Sequence, residues 1–174
     1  HNMEQICAIE KIKGSLNSGE KKRWLLFGVT GSGKTEVYIE SIKETVATGK
    51  QVLYLVPEIA LAQMTTRSLI KTFGSLSALL NSSMSEKEKR NEWNRIEKRE
   101  AQIVIGPRSA LFAPFSELGL IIIDEEHENT FKQNEPEPRY DARTAAEKLA
   151  EIHDAVVIRG SATPSLNSFY QVEN

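Results

Sequence analysis

The stretch Gly28-Val29-Thr30-Gly31-Ser32-Gly33-Lys34-Thr35 constrains this chain of 174 residues more than any other. It fills every fixed position of the spacing G-x-x-x-x-G-K-[ST], follows the apolar run Trp24-Leu25-Leu26-Phe27 and precedes a segment of helical periodicity. The glycines allow positive φ and a close backbone approach, so consecutive N–H groups turn inward as an anion nest. The helix that follows adds unpaired donors and a partial positive charge at its start. Such a loop holds phosphate, with Gly28 through Thr35 as the expected nucleotide-binding residues. Lys34 is placed to reach the β and γ oxygens, and the Thr35 hydroxyl to ligate magnesium.

Strand and helix patterns alternate along the rest of the chain, which predicts an α/β fold around a mainly parallel sheet. Apolar runs predict strands over Arg23–Phe27, Gln51–Val56, Leu76–Leu80, Gln102–Ile105, Leu120–Asp124 and Ala155–Ile158, and periodicity predicts helices over Lys34–Ala47, Glu58–Phe73, Ser85–Arg99 and Ala142–His153. Pro57, the pair Ser85 and Glu88, and Asp141 supply start signals for the last three. In P-loop ATPases of the additional-strand type, the strand Ala155–Ile158 belongs between the P-loop strand and Leu120–Asp124. The charged run Ser85 to Glu100 reads as a solvated helix that turns Trp93 and Ile96 inward at i, i+3 spacing.

With 40% hydrophobic and 26% charged residues, the composition fits one globular domain. A net charge of -2 and a pI near 6.0 leave no overall attraction to nucleic acid, so any such contact must come from a local patch. The single cysteine, Cys7, excludes an internal disulfide and a cysteine-rich zinc site within these residues. No apolar stretch approaches the ~20 residues of a membrane span, and a cytoplasmic location without membrane contact is expected.

Two further stretches carry chemistry. Gly119 to His127, GLIIIDEEH, places a run of acids at the carboxyl edge of a buried strand, where ligands of open α/β sheets bind. This is a Walker B signature: Asp124 is the expected magnesium partner and Glu125 the group that polarises the attacking water, with Lys34 as its catalytic counterpart on the phosphate. Gly160-Ser161-Ala162-Thr163-Pro164 follows the last strand, where the small hydroxyls of Ser161 and Thr163 are placed to sense the γ-phosphate or simply to form a turn.

Taken in order with VPEIALAQ and IGPRSALFAPF, these stretches resemble the motifs of superfamily 2 helicases, and DEEH, Phe131-Lys132-Gln133 and Arg139-Tyr140 resemble the primosomal replication-restart group within them. The resemblance runs over essentially the whole chain and implies the first RecA-like ATP-binding lobe of a larger DNA helicase, a three-layer α/β/α P-loop NTPase. It implies ATP with Mg2+, Gln5 as the adenine-recognising residue, and Thr65, Arg108 and Ser109 beside single-stranded DNA. It also implies that His127, Phe131, Arg139, Tyr140, Ser161 and Thr163 couple DNA binding to hydrolysis. Pro138 stands where such helicases usually carry Trp, which leaves base stacking to Phe131 and Tyr140. Leu80-Asn81-Ser82-Ser83 also departs from the group's pattern.

The implied partners are single-stranded and forked DNA, other primosome proteins and a second RecA-like lobe bearing the arginine finger. The implied setting is a bacterial, nucleoid-associated 3'-5' helicase, with zinc only in the part of the protein beyond this monomeric and nearly inactive lobe. Two alternatives share the loop and the DEEH chemistry: a P-loop motor driving a non-DNA partner or transport, and an adaptor that binds nucleotide without hydrolysing it.

Overall fold

The computed structural model describes residues 3–20, 23–28, 33–134 and 139–162. Among these, six parallel strands form the central sheet: β1 (Arg23–Phe27), β2 (Gln51–Leu55), β3 (Ser77–Leu79), β4 (Ile103–Gly106), β5 (Leu118–Ile123) and β8 (Val156–Ser161), in the order β1-β8-β5-β2-β4-β3. β8 lies where expected, pairing with both β1 and β5. A short antiparallel ladder, β6 (Lys132–Gln133) with β7 (Tyr140–Asp141), was not anticipated from the sequence.

Helices cover both faces. α1 (Met3–Ser18), α2 (Lys34–Ala47) and α3 (Met64–Phe73) lie over one side, where Ile12, Ile42 and Leu69 pack with Val52, Tyr54, Ile105, Ile122 and Ile158. α4 (Glu86–Glu97) and α5 (Ala142–His153) lie over the other, where Ile96, Ala146 and Ala150 meet Leu53, Leu55, Ile121, Ile123 and Val157. Successive residues of β2, β5 and β8 go to opposite faces, so each strand feeds both apolar layers.

The expected helix Glu58–Phe73 is broken. A 3-10 turn, Glu58–Ala60, is followed by α3 only from Met64. The bonds Ala60 N to Pro57 O and Leu61 N to Glu58 O are of the i to i+3 type, and the Ala60 carbonyl, which a continuous helix would have given to the Met64 N–H, accepts instead from Gln63 N at 3.0 Å and Thr66 Oγ1 at 3.3 Å. Both predicted caps form: Ser85 and Glu88 make a reciprocal capping box at α4, and Asp141 accepts from the Arg143 N–H at α5. Trp93 and Ile96 turn inward as their spacing predicted.

A buried polar hub closes the end of the sheet opposite the loops. Gln51, 0% exposed, donates to the Ile96 carbonyl at 3.1 Å and accepts from the Ser116 and Glu117 N–H groups at 2.9 and 3.2 Å.

Candidate functional site

The candidate residues gather at the carboxyl ends of the parallel strands, the edge at which open α/β sheets bind ligands. Val29, Thr30, Gly31 and Ser32 of the loop, and Thr163 and Pro138 elsewhere, lie outside the described residues. The flanks of the loop are described. The Gly28 N–H donates to the Ser161 carbonyl at 3.2 Å, and the Gly28 carbonyl accepts from Lys34 Nζ. Gly33 starts α2 at φ 89°, a conformation in which other residues are strained, and a Cβ there would collide with the Gln5 side-chain amide. α1 therefore lays Gln5 directly against the loop. Thr35 Oγ1 lies 3.3 Å from Thr65 Oγ1, so the start of α3 faces the loop rather than standing apart from it.

Asp124 ends β5 and is 6% exposed. The Tyr38 hydroxyl donates to its Oδ1 at 2.9 Å and the Tyr54 hydroxyl to its Oδ2 at 2.7 Å. Burial first, and then the charge of Asp124, push both phenols well above their usual range, so both remain protonated donors. Tyr38 is one turn beyond Thr35 on α2, which places the Thr35 hydroxyl on the helix face that meets Asp124. One carboxylate and one hydroxyl are hard oxygen donors of the kind magnesium takes when substrate phosphates and water complete its shell. Among the described residues no group of three or more His, Cys, Asp or Glu stands ready to hold a metal alone.

Glu125 adopts a left-handed backbone, φ 52°. The turn is pinned on both sides: Glu126 N donates to the Gly160 carbonyl at 3.1 Å and Glu128 N to the Glu125 carbonyl at 2.9 Å. His127 Nε2 lies 3.4 Å from Glu125 Oε2 and its Nδ1 3.0 Å from Ser161 Oγ. Glu126, 1% exposed, pairs with Arg159 at 3.8 Å; Arg159 bonds Glu147 at 2.9 Å, and Glu147 also pairs with Arg23. Arg143 Nη1 takes the Glu126 carbonyl at 2.6 Å. The acid turn is thus held to β1, β8 and α5 at once.

A second group lies further along the edge. Arg108 Nη1 donates to the Thr130 and Lys132 carbonyls at 3.1 and 3.0 Å, fastening the segment after β4 to the one before β7. Glu58 Oε1 accepts from Ser82 N and Oγ at 2.9 and 2.8 Å, and the groove between them is lined by Pro57, Ser109 and Gln133. Ser109 and Arg139 are exposed. Tyr140 packs edge-to-face on Phe112 with centroids 5.7 Å apart. Phe131 corrects the stacking expectation: it is 1% exposed, belongs to the core, and carries the Arg143 guanidinium 5.9 Å above its ring. A residue so enclosed offers no face to a base.

Sequence reasoning missed Tyr38, Tyr54, Glu126 and Arg159. Only Tyr38 left a local signal, its i, i+3 spacing from Thr35; the others act through contacts between separate strands and helices.

The sequence profile of the DEAD/DEAH box helicases matches residues 2–172. The chain belongs to this family. This DEAD/DEAH box domain is 49% identical over 170 residues to replication restart protein PriA of Bacillus subtilis, a match covering 98% of the chain and 21% of that protein. PriA of Chlamydia trachomatis is 45% identical over 168 residues, covering 97% and 22%. The structure of RecG bound to a three-way DNA junction is similar at a TM-score of 0.71 and 26% identity, covering 97% of the chain and 22% of that one. The chain therefore spans about a fifth of the length of these relatives. Its fold is the RecA-like α/β/α sandwich of such helicases, and no helix among its described residues is long and apolar enough to cross a membrane.

Proposed function

We propose that residues 1–174 are the first RecA-like lobe of a DNA helicase that binds and hydrolyses ATP in the assembly of a primosome and the restart of stalled replication forks. The observation that carries this reading is the convergence of Lys34 and Thr35, Asp124 and Glu125, and Ser161 at one sheet edge, tied together by Tyr38–Asp124 and His127–Ser161. Similarity to PriA supports the replication role.

Lys34 and the loop amides bind the phosphates, Gln5 selects adenine, and Thr35 and Asp124 hold magnesium. When bound, the ion neutralises charge that develops on the transferred phosphoryl group. Glu125 orients the attacking water and accepts its proton. Thr65, Arg108 and Ser109 border the path of single-stranded DNA, and His127, Arg139, Tyr140, Ser161 and Thr163 pass its presence back to the ATP site. Phe131 acts from the core, as a support for the coupling segment.

The full-length protein translocates 3'-5', carries a second lobe and a zinc-binding region outside this chain, works on single-stranded and forked DNA beside other primosome proteins, and resides in the bacterial cytoplasm at the nucleoid. The lobe alone is monomeric. The test is ATP hydrolysis by the full-length protein with and without forked DNA, alongside Glu125→Gln and Lys34→Ala. DNA-stimulated hydrolysis that Glu125→Gln abolishes, and nucleotide binding that Lys34→Ala abolishes, are expected. Hydrolysis indifferent to DNA returns the lobe to a motor for another partner, and activity that survives Glu125→Gln removes the assigned chemistry.

A further inference from the structure

Asp124 is more heavily engaged than an acid at a strand end needs to be. A carboxylate offers about four acceptor sites. Oδ1 receives the Tyr38 hydroxyl at 2.9 Å and the Glu125 N–H at 3.1 Å, and Oδ2 receives the Tyr54 hydroxyl at 2.7 Å. Both sites on Oδ1 are therefore filled, and the one that remains is on Oδ2. The two tyrosines are 0% exposed and pack edge-to-face with centroids 5.8 Å apart, so neither hydroxyl swings aside without opening the core. Gly160 completes the enclosure: a Cβ there would collide with the Tyr38 hydroxyl and come within 3.0 Å of Asp124 Oδ1. α2, β2, β5 and β8 each contribute a wall to the same carboxylate.

We infer that Tyr38 and Tyr54 are positioning residues that make Asp124 a one-oxygen partner for the divalent ion, and that Tyr38 thereby selects magnesium over calcium. This rests on the magnesium–nucleotide reading given above. Magnesium requires a tight octahedral shell at about 2.1 Å, keeps several waters and takes carboxylates sparingly, whereas calcium accepts six to eight oxygens and readily takes both oxygens of one carboxylate. Filling Oδ1 removes the two-oxygen arrangement. Tyr54 has a different part: by holding Oδ2 at a fixed angle it aims the one open site.

The two roles separate in one experiment. Binding of a fluorescent ATP analogue to the full-length protein is titrated with Mg2+ and, separately, with Ca2+, for wild type, Tyr38→Phe and Tyr54→Phe, with metal-free binding and thermal melting as controls. Tyr38→Phe is expected to shift the ratio of half-saturating Ca2+ to Mg2+ about tenfold toward calcium, the scale on which partners of metal ligands act. Tyr54→Phe is expected to raise half-saturating Mg2+ with little change in that ratio. Metal-free binding stays at the wild-type level in both. Should Tyr38→Phe fail to fold, 4-fluorophenylalanine at position 38 keeps the tyrosine shape without the donor and carries the same expectation. A ratio unchanged in a folded Tyr38 variant overturns the inference while leaving the nucleotide site intact. If metal does not strengthen analogue binding in wild type, the magnesium–nucleotide reading fails and the inference falls with it.

Discussion

His127 stands between the acid turn and the end of β8, with Nδ1 3.0 Å from Ser161 Oγ and Nε2 3.4 Å from Glu125 Oε2. One ring therefore contacts both the residue assigned to the attacking water and the strand whose Ser161 carbonyl receives the Gly28 N–H of the phosphate loop. Movement at Ser161 reaches Glu125 through two contacts.

His127→Ala removes that route without touching the phosphate loop. In the full-length protein the ratio of hydrolysis with and without single-stranded DNA is expected to fall about tenfold, within the usual range of coupling free energies, while ATP affinity stays the same. Steady-state kinetics at saturating ATP, paired with equilibrium binding, checks this. A ratio equal to wild type leaves His127 without a coupling role.

Gln51 governs stability rather than activity. Gln51→Leu removes the acceptor of the Ser116 and Glu117 N–H groups, while the Ile96 carbonyl keeps the Arg99 N–H at 3.0 Å. An unpaired buried polar group costs about 1–3 kcal/mol, and because Ser116 and Glu117 are exposed residues water takes up part of that cost, so a loss of roughly 1–2 kcal/mol is expected. Urea unfolding should show a lower midpoint at an unchanged slope.

Asp141 makes acid sensitivity local to α5. Burial alone would raise its carboxyl, but hydrogen bonds from the Arg143 side chain and N–H, with the Arg143 and Lys132 charges, outweigh burial and hold it below its ordinary value. A carboxyl depressed in the folded state contributes stability above its unfolded pKa and loses it as pH falls through the folded value. Stability is therefore expected to decline as pH drops below about 4. Asp141→Asn should flatten that decline and keep the cap, since Asn caps a helix as well as Asp, so that its cost at neutral pH is the partly exposed pair with Arg143, up to about 1 kcal/mol. Denaturant midpoints measured from pH 3 to 7 test both statements.

The lobe in isolation is expected to be a poor enzyme. An arginine finger typically supplies about 10³ to 10⁵ of the rate, and Arg108, which lines the groove beside Glu58 and Ser82, already spends Nη1 on two carbonyls. Hydrolysis by residues 1–174 should fall well below that of the DNA-stimulated full-length protein and respond little to single-stranded DNA. A rate within about tenfold, or about 1.4 kcal/mol of barrier, would place a complete site in this lobe.

The sheet was legible because its strands are short and largely apolar, and α4 and α5 open on recognisable caps; α2 and α5 fall on their predicted bounds, and β8 takes the place that the P-loop class predicts. α1 was not legible, since its apolar residues do not keep to one face: Ile9 and Ile12 are buried while Met3 and Ile6 are exposed. The helix break before Met64 lies at the single extended residue Gln63, and the β6–β7 ladder takes two residues per strand, signals too short for periodicity to register. The phosphate loop and the acid turn announced themselves by spacing. Their supports did not: Tyr54 is one more apolar strand residue until β2 lies beside β5, and Phe131 looks like a stacking platform until the core closes over it.

The left-handed backbone at Glu125 also limits how this lobe can change over evolutionary time. A residue with a Cβ pays roughly 1 kcal/mol or more to sit there, and glycine would not. Random substitution followed by selection for heat resistance alone would therefore favour Glu125→Gly and discard the carboxylate. A thermostable lineage that keeps its activity must gain its stability at other positions, and a screen for hardy variants of this lobe needs a second filter for function.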